Sequence, residues 1–272
     1  MKTVGLTGAS GYIGSNLASR FERDGWNVVR FKFRLGEAVP PQEMTVDALV
    51  HCAYDFRPID WPEIKRVNVD GTRKLLEAAI TGGVGKIVVL STISAFAGCR
   101  SLYGRAKLDI EDLAEQAGAA VLRPGLVFVD AGSRAGGMFG SLERSSRSAL
   151  VPLIDGGVHC QHLIHIDDLY GLVSRLASGD LPVPGKPVVA ASPRCWTMRE
   201  LIAELARRQG TRARFLSVPW QAAWLGLKAA ELGHLRLGYR SDSVVSLVHQ
   251  DPHPDFSALK ELGVTVRELT TA

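Results

Sequence analysis

The sequence lacks the features that mark several large classes of protein. Its 272 residues include four cysteines, Cys52, Cys99, Cys160 and Cys195, with no Cys-x-x-Cys pair. Neither a zinc site nor a disulfide framework is expected, and the pattern suits a reducing cytoplasm. Long apolar runs are missing: the most hydrophobic later stretch, WQAAWLGLKAAEL, is interrupted by Lys228 and Glu231 and falls short of the roughly 20 residues of a membrane helix. No secretory leader is expected, because MKTVGLTGASG passes straight into a strand and a glycine turn. The net charge of +4, from 32 basic and 28 acidic residues, reads as modest and spread along the chain. It weakly favours an anionic small ligand and gives no nucleic-acid footprint. Internal repeats and low-complexity tracts are absent. What remains is a soluble chain with 46% hydrophobic residues, enough to bury one large domain or a domain plus a lobe, with no membrane or nucleic-acid partner.

Along the chain, short apolar runs alternate with helical patterns. TVGLTG is followed by a helix from about Ile13 to Arg23, then NVVRFKF, DALVHCAY, a helix from about Pro62 to Ala79, KIVVLST, a helix opened by Tyr103, and AAVLRPGLVFV. This alternation predicts an α/β fold, a Rossmann-type doubly wound parallel sheet. The Pro- and Gly-rich stretch between NVVRFKF and DALVHCAY is too short for a helical crossover and another strand, so the sheet should be trimmed there. DAGSRAGGMFGSLERSSRS reads as a mobile segment bordering a substrate site, or equally as a plain surface loop. CQHLIHIDDLYGLVSRLA restores strand then helix, GKPVVAAS is a strand, and TMRELIAELARRQG is an amphipathic helix ending at Gly210. The expected division is a dinucleotide-binding domain over 1–175, joined by a strand at about 187–192, with 176–272 forming most of a small C-terminal substrate lobe.

LTGASGYIGSNL sets Gly8, Gly11 and Gly14 between the first strand and the first helix. The first glycines permit a tight turn and close approach of a pyrophosphate, the third lets helix pack on strand, and the helix N-terminus supplies amide hydrogens. Ser10, Tyr12 and Ile13 belong to the same expected site. At the end of the second strand, Lys32 and Arg34 precede any acid, the first being Glu37. Basic residues there favour the 2′-phosphate of NADP over the free ribose of NAD, so NADP is the preferred cofactor and NAD the alternative.

In SLYGRAKLDIEDLAEQAG, a helix begun by Tyr103 carries Ala106, Lys107, Ile110, Leu113, Ala114 and Ala117 on one side. An ammonium on an apolar stripe needs a partner. The ordered series TGASGYIG, HCAY, VNVDGTRKLLEAA, VVLSTIS, YGRAK, LRPGLVFV and HIDDL resembles the extended branch of the short-chain dehydrogenase/reductases, the NAD-dependent epimerase/dehydratase family, over about two thirds of the chain. The resemblance implies that Tyr103 is the catalytic acid/base, that Lys107 favours its phenolate and bonds the nicotinamide ribose, and that Thr92 holds the substrate oxygen, with Ser91 and Ser94 as substitutes. The partner of the lysine would then be the cofactor. By family position Cys52, Ala53, Tyr54, Ser91, Pro124 and Gly125 border the cofactor, and a homodimer through the Pro62 and Tyr103 helices is expected. Asn68 lies on an apolar stripe with Ile64, Gly71 and Leu75 and needs a hydrogen-bond partner, whether to tie helix to sheet or to relay a proton.

The family performs reduction, epimerisation and dehydration. Ile93 and Ser94 stand where a sugar dehydratase carries an acidic pair, which disfavours dehydration. Leu126 stands where many nucleotide-sugar enzymes carry Asn, although Arg240, Arg144 and Arg147 could hold a diphosphate. The expected activity is an NAD(P)-dependent oxidoreductase acting on a sugar-like or other small substrate, such as a nucleotide sugar. The alternatives are a nucleotide-sugar epimerase with tightly bound NAD and a non-catalytic NADP sensor. Histidines 159, 162 and 165 with Asp167 and Asp168 suggest a metal cluster by spacing alone, but HIDDL resembles a structural segment of the family and no metal is expected.

Overall fold

A computed structural model describes residues 1–130, 136–233, 235 and 239–270. Its centre is a parallel six-stranded sheet. β1 (Thr3–Thr7) leads through the glycine turn into α1 (Tyr12–Arg23), and edge strand β2 (Asn27–Arg30) returns beside β1. β3 (Ala48–His51) follows after only a short 3-10 turn at Pro41–Glu43, so the sheet is trimmed as expected. α2 (Trp61–Ile64) passes through a π-helical segment, Lys65–Val69, into α3 (Asp70–Thr81). β4 (Lys86–Leu90), α4 (Leu102–Gln116) and β5 (Ala120–Pro124) complete the first half.

Beyond β5 the chain departs from the expected single strand. β6 (Leu126–Phe128) belongs to a different sheet, and α5 (Gly137–Ser145) occupies much of the stretch read as a mobile loop. Residues 131–135 of that stretch lie outside the described residues. β7 (Leu150–Ile154), β8 (Cys160–His165), α6 (Ile166–Ser178) and β9 (Val188–Ala190) follow. Next come β10 (Cys195–Thr197), α7 (Met198–Arg208), β11 (Arg214–Val218), α8 (Trp220–Leu232), α9 (Ser241–Val248) and α10 (Ser257–Glu261). The strand order is β2-β1-β3-β4-β5-β9 in the main sheet, β10-β8-β6 in a second and β11-β7 in a third.

The two-residue period of the strands divides the core. Val4, Leu6, Ala48, Val50, Val88 and Leu90 face α1, α6 and α10, whereas Leu49, Ile87 and Val89 face α2, α3 and α4. Helices therefore cover both faces, which is why β3 reads as four buried residues in a row. Phe21 and Leu17 of α1 are fully buried, each contributing about 1.5–3 kcal/mol. A third core joins Phe128, Phe139 and Leu163 with Trp196, Leu201 and Leu205, so the lobe draws on both sides of residue 175. α7 is fixed at its start by a reciprocal cap between Thr197 and Glu200.

The cysteine expectation is corrected. Cys160 and Cys195 form a disulfide, with Cα atoms 5.4 Å apart. Their separation of 35 residues concealed the antiparallel pairing of β8 with β10, in which Thr197 lies opposite Cys160 and Cys195 opposite His162. The pairing also removes the cysteine-based argument for a reducing compartment. Among the described residues, no helix is long and apolar enough to cross a membrane.

His51, fully buried at the end of β3, is hydrogen-bonded to Thr7 Oγ1 at 2.7 Å and Thr72 Oγ1 at 3.0 Å. It thus joins β1, β3 and α3. Burial, aided by the positive charge of Lys107, pushes its pKa down to about 3. The unfolded chain therefore takes up a proton near pH 6.5 that the folded chain refuses, and stability present above that pH is lost as the solution is acidified. Urea unfolding should show a loss from this group that begins near pH 6.5 and approaches about 1.4 kcal/mol per pH unit below pH 5.5, and His51→Gln should flatten that slope.

Candidate active site

The C-terminal ends of β1, β3, β4 and β5 meet on one edge of the sheet, where α/β proteins of this topology bind ligands. Gly8 has a left-handed φ of 65°, and a side chain on it would meet the backbone of Ala53 at 2.8 Å. A Cβ on Gly14 would stand 2.2 Å from the Gly8 carbonyl oxygen. These two glycines bring β1, β3 and α1 into backbone contact. Ser10 and Gly11 are exposed at the mouth of the turn, with Tyr12 and Ile13 half-buried behind them. No side chain caps α1 and no acid lies in its first turn, so its leading amides fit a pyrophosphate. The Tyr12 ring packs where side chains on Gly136 and Gly137 would otherwise sit, which brings α5 against the turn. Lys32 and Arg34 lie beyond the end of β2 and are exposed; the Glu37 carboxylate accepts from the Arg34 amide at 2.9 Å.

Tyr103, Thr92 and Lys107 come together at the adjoining strand ends. Burial pushes the Tyr103 pKa up to about 12, a rise that the nearby Thr92 side chain partly offsets. The short loop between them closes because Gly104 has no side chain: a Cβ there would lie 2.6 Å from the Ser94 carbonyl oxygen. Lys107 is buried as its stripe predicts. Its ammonium donates to the Leu90 carbonyl at 2.7 Å and lies 5.2 Å from the Tyr54 ring centre. Burial lowers its pKa to about 8, opposed by Cys52 and Glu111. The observed partner of the lysine is thus the end of β4 and an aromatic face. Burial pushes the Cys52 thiol up to about 12, so it stays protonated at neutral pH.

Ser91 is committed elsewhere: its hydroxyl donates to Glu111 Oε1. Glu111, buried on α4 and not singled out by the sequence, also receives Arg123 Nε at 2.9 Å and a terminal Arg123 nitrogen at 2.6 Å. The Pro124 carbonyl accepts from the Ile93 amide at 3.1 Å, and the Gly125 amide donates to Ala190 at 3.2 Å. Asn68 has its interior partner: its side chain exchanges hydrogen bonds with the Asp55 backbone at 2.7 and 3.0 Å. Helix and post-β3 loop are thereby joined.

The lobe reaches the same place. Asp242 accepts from the amides of Leu102 at 2.7 Å and Tyr103 at 3.0 Å, capping α4 from α9. Arg240 donates to the carbonyls of Phe56 and Pro58. The rings of Tyr54 and Phe56 lie 4.9 and 5.5 Å from that of Tyr103, forming an aromatic wall. The sequence gives no sign of Asp242 and offers Arg240 only as a diphosphate ligand, because their observed partners are about 140 and 180 residues away.

The arginines considered for a diphosphate have internal partners. Arg240 holds the Phe56 loop, Arg144 bonds Ser141 at 2.9 Å and Arg147 bonds Gln209 at 2.6 Å. A cleft of about 50 Å³ runs from Ile93 and Ser94 to Leu126, His162 and Gln250. A larger one, about 400 Å³, lies between β10 and α7 and holds none of the residues above. The histidines diverge: His159 pairs with Asp155 at 3.2 Å and His162 with the Ser192 carbonyl at 3.0 Å. His165 caps α6 through the Asp167 amide, with Asp130 and Asp167 carboxylates at 3.5 and 3.6 Å. Asp167 is already paired with Arg20 at 2.6 Å.

Glycine turn, uncapped helix and parallel sheet define a Rossmann-type, dinucleotide-binding α/β fold. Residues 4–128, a little under half of the chain, match the NAD dependent epimerase/dehydratase family. The chain is 23% identical over 239 residues to a ceramide reductase of Caulobacter vibrioides (strain NA1000 / CB15N), covering 79% of this chain and 73% of that one. Among solved structures, MoeE5 in complex with UDP-glucuronic acid and NAD aligns with a TM-score of 0.73 at 21% identity, over 98% of this chain and 94% of its own. A dTDP-4-dehydrorhamnose reductase from Bacillus anthracis str. Ames in complex with NADP aligns with a TM-score of 0.69 at 15% identity, over 90% and 98%.

Glu111→Gln removes the charge opposite the half-buried Arg123. Breaking such a pair leaves one charge uncompensated, and a loss of about 3 kcal/mol is expected in urea unfolding.

Proposed function

We propose that this chain is an NAD(P)-dependent oxidoreductase that reduces a carbonyl, or oxidises the matching alcohol, on a sugar-like or other small substrate, with NADP as the preferred cofactor. The observation that carries this reading is the meeting of Thr92, Tyr103 and Lys107 beside the glycine turn. When bound, the nicotinamide supplies or accepts hydride. Thr92 and the Tyr103 phenol orient the substrate oxygen. A phenol held protonated at neutral pH is suited to give its proton to the oxygen as a carbonyl is reduced. The Lys107 charge, close under the Tyr54 ring, favours the phenolate that remains once Tyr103 has given up its proton, and offers N–H groups to the nicotinamide ribose. Lys32 and Arg34 accept the 2′-phosphate. The relative named as a ceramide reductase supports the reductive direction.

The first test is to denature purified protein, identify released nucleotide by mass, and titrate nucleotide-free protein with NADPH and NADH. Reversible binding that favours NADPH is expected, and a Lys32→Ser/Arg34→Ser double variant should weaken NADPH about tenfold, or roughly 1.4 kcal/mol, with NADH unchanged. Stoichiometric release of NAD would instead assign a nucleotide-sugar epimerase.

Tyr103→Phe should lower turnover by about 10²–10⁴-fold while dinucleotide binding persists. Full biological function in that variant would assign a cofactor sensor.

A further inference from the structure

The two-residue period of β8 puts Cys160 and His162 on one face of the strand, and Cys195 of β10, which lies opposite His162, shares that face. One imidazole thus stands beside a cystine. Cys160 Sγ lies 3.5 Å from His162 Nε2, while Nδ1 of the same ring meets the Ser192 carbonyl oxygen at 3.0 Å. A carbonyl only accepts, so Nδ1 carries the hydrogen, and Nε2 is left to take up a proton and present it to sulfur. The two sulfurs differ in access. Cys195 is exposed and lines the cleft of about 400 Å³ between β10 and α7, whereas Cys160 is half-buried in the wall of the smaller cleft that begins at Ile93 and Ser94.

Thiol–disulfide exchange needs a sulfur that the attacking thiolate can reach and a leaving sulfur whose negative charge is stabilised. A protonated imidazole beside the leaving sulfur provides that stabilisation. We propose that Cys160 and Cys195 form a thiol–disulfide exchange site, opened by a low-molecular-weight thiol that attacks Cys195 and assisted by His162 at Cys160. In the first step the thiolate bonds to Cys195 Sγ as the Cys160–Cys195 bond breaks, and Cys160 leaves as a thiolate that takes its proton from the protonated His162. In the second step another thiolate attacks the incoming sulfur of the mixed disulfide and releases Cys195. Two thiols are oxidised to one disulfide, and the cystine receives the same two electrons. The Cys160 carbonyl also accepts from Gln250 at 2.7 Å, and Gln250 lines the same small cleft. The exchange site is therefore built into the wall of that cleft. Its chemistry does not depend on the reaction assigned to Tyr103.

The test first oxidises the folded full chain with oxidised glutathione and desalts it. Reduced glutathione is then added, the reaction is quenched at successive times with N-ethylmaleimide, and peptide masses locate each maleimide and glutathione. Before reduction, the denatured chain should take up maleimide at Cys52 and Cys99 alone. During reduction, glutathione should appear on Cys195 with the first new maleimide on Cys160, and His162→Asn should slow this opening about tenfold or more. Cys160 and Cys195 left free after the oxidation, glutathione on Cys160 in place of Cys195, or a cystine that reduced glutathione leaves closed would each overturn the proposal. So would opening of His162→Asn at the wild-type rate. If urea unfolding shows that this variant does not fold, the position of glutathione on the unaltered chain decides. Failure of the oxidoreductase reading would appear separately, as lost dinucleotide binding, to which the thiol map is blind.

Discussion

Helix α4 is held on the sheet by polar contacts made beneath the apolar core, and the geometry of the site depends on them. Lys107 is fastened to the Leu90 carbonyl, Glu111 to Ser91 and Arg123, and the first amides to Asp242. Each contact removes a polar group from water and satisfies it at once, so none can be loosened without leaving a buried donor or charge unpaired. Apolar packing would let the helix slide or rotate among similar arrangements. These directional contacts fix the phenol of Tyr103 relative to the ends of β4 and β5.

The local part of this arrangement was legible in the sequence. The strand–turn–helix order around Gly8, Gly11 and Gly14 and the stripe that buries Lys107 are periodic signals within short windows. The requirement that Asn68 find a partner was also readable, although the identity of that partner, the Asp55 backbone, was not. Gly104 stood inside a recognised motif, yet its part in closing the short loop depends on a carbonyl ten residues earlier whose position only the fold reveals.

What escaped the sequence is nonlocal. Cys160 and Cys195 become neighbours only when β8 and β10 pair. The strand read through Pro124 and Gly125 changes sheets because a side chain on Gly125 would stand 2.1 Å from the His162 carbonyl oxygen, a contact that brings β8 close. Glu111 looked like one more charged residue of an amphipathic helix until Ser91 and Arg123 were found around it.

The cap on α4 bears on where this molecule can be cut. The match to the family model ends at residue 128, but the helices α6 and α10 on one sheet face and the carboxylate at the head of α4 come from later in the chain. A fragment ending there would expose an apolar sheet face and leave the amides of Leu102 and Tyr103 uncapped. The half that matches the family model is therefore not a folding unit by itself, and the C-terminal segment serves as scaffold for the sheet and for α4.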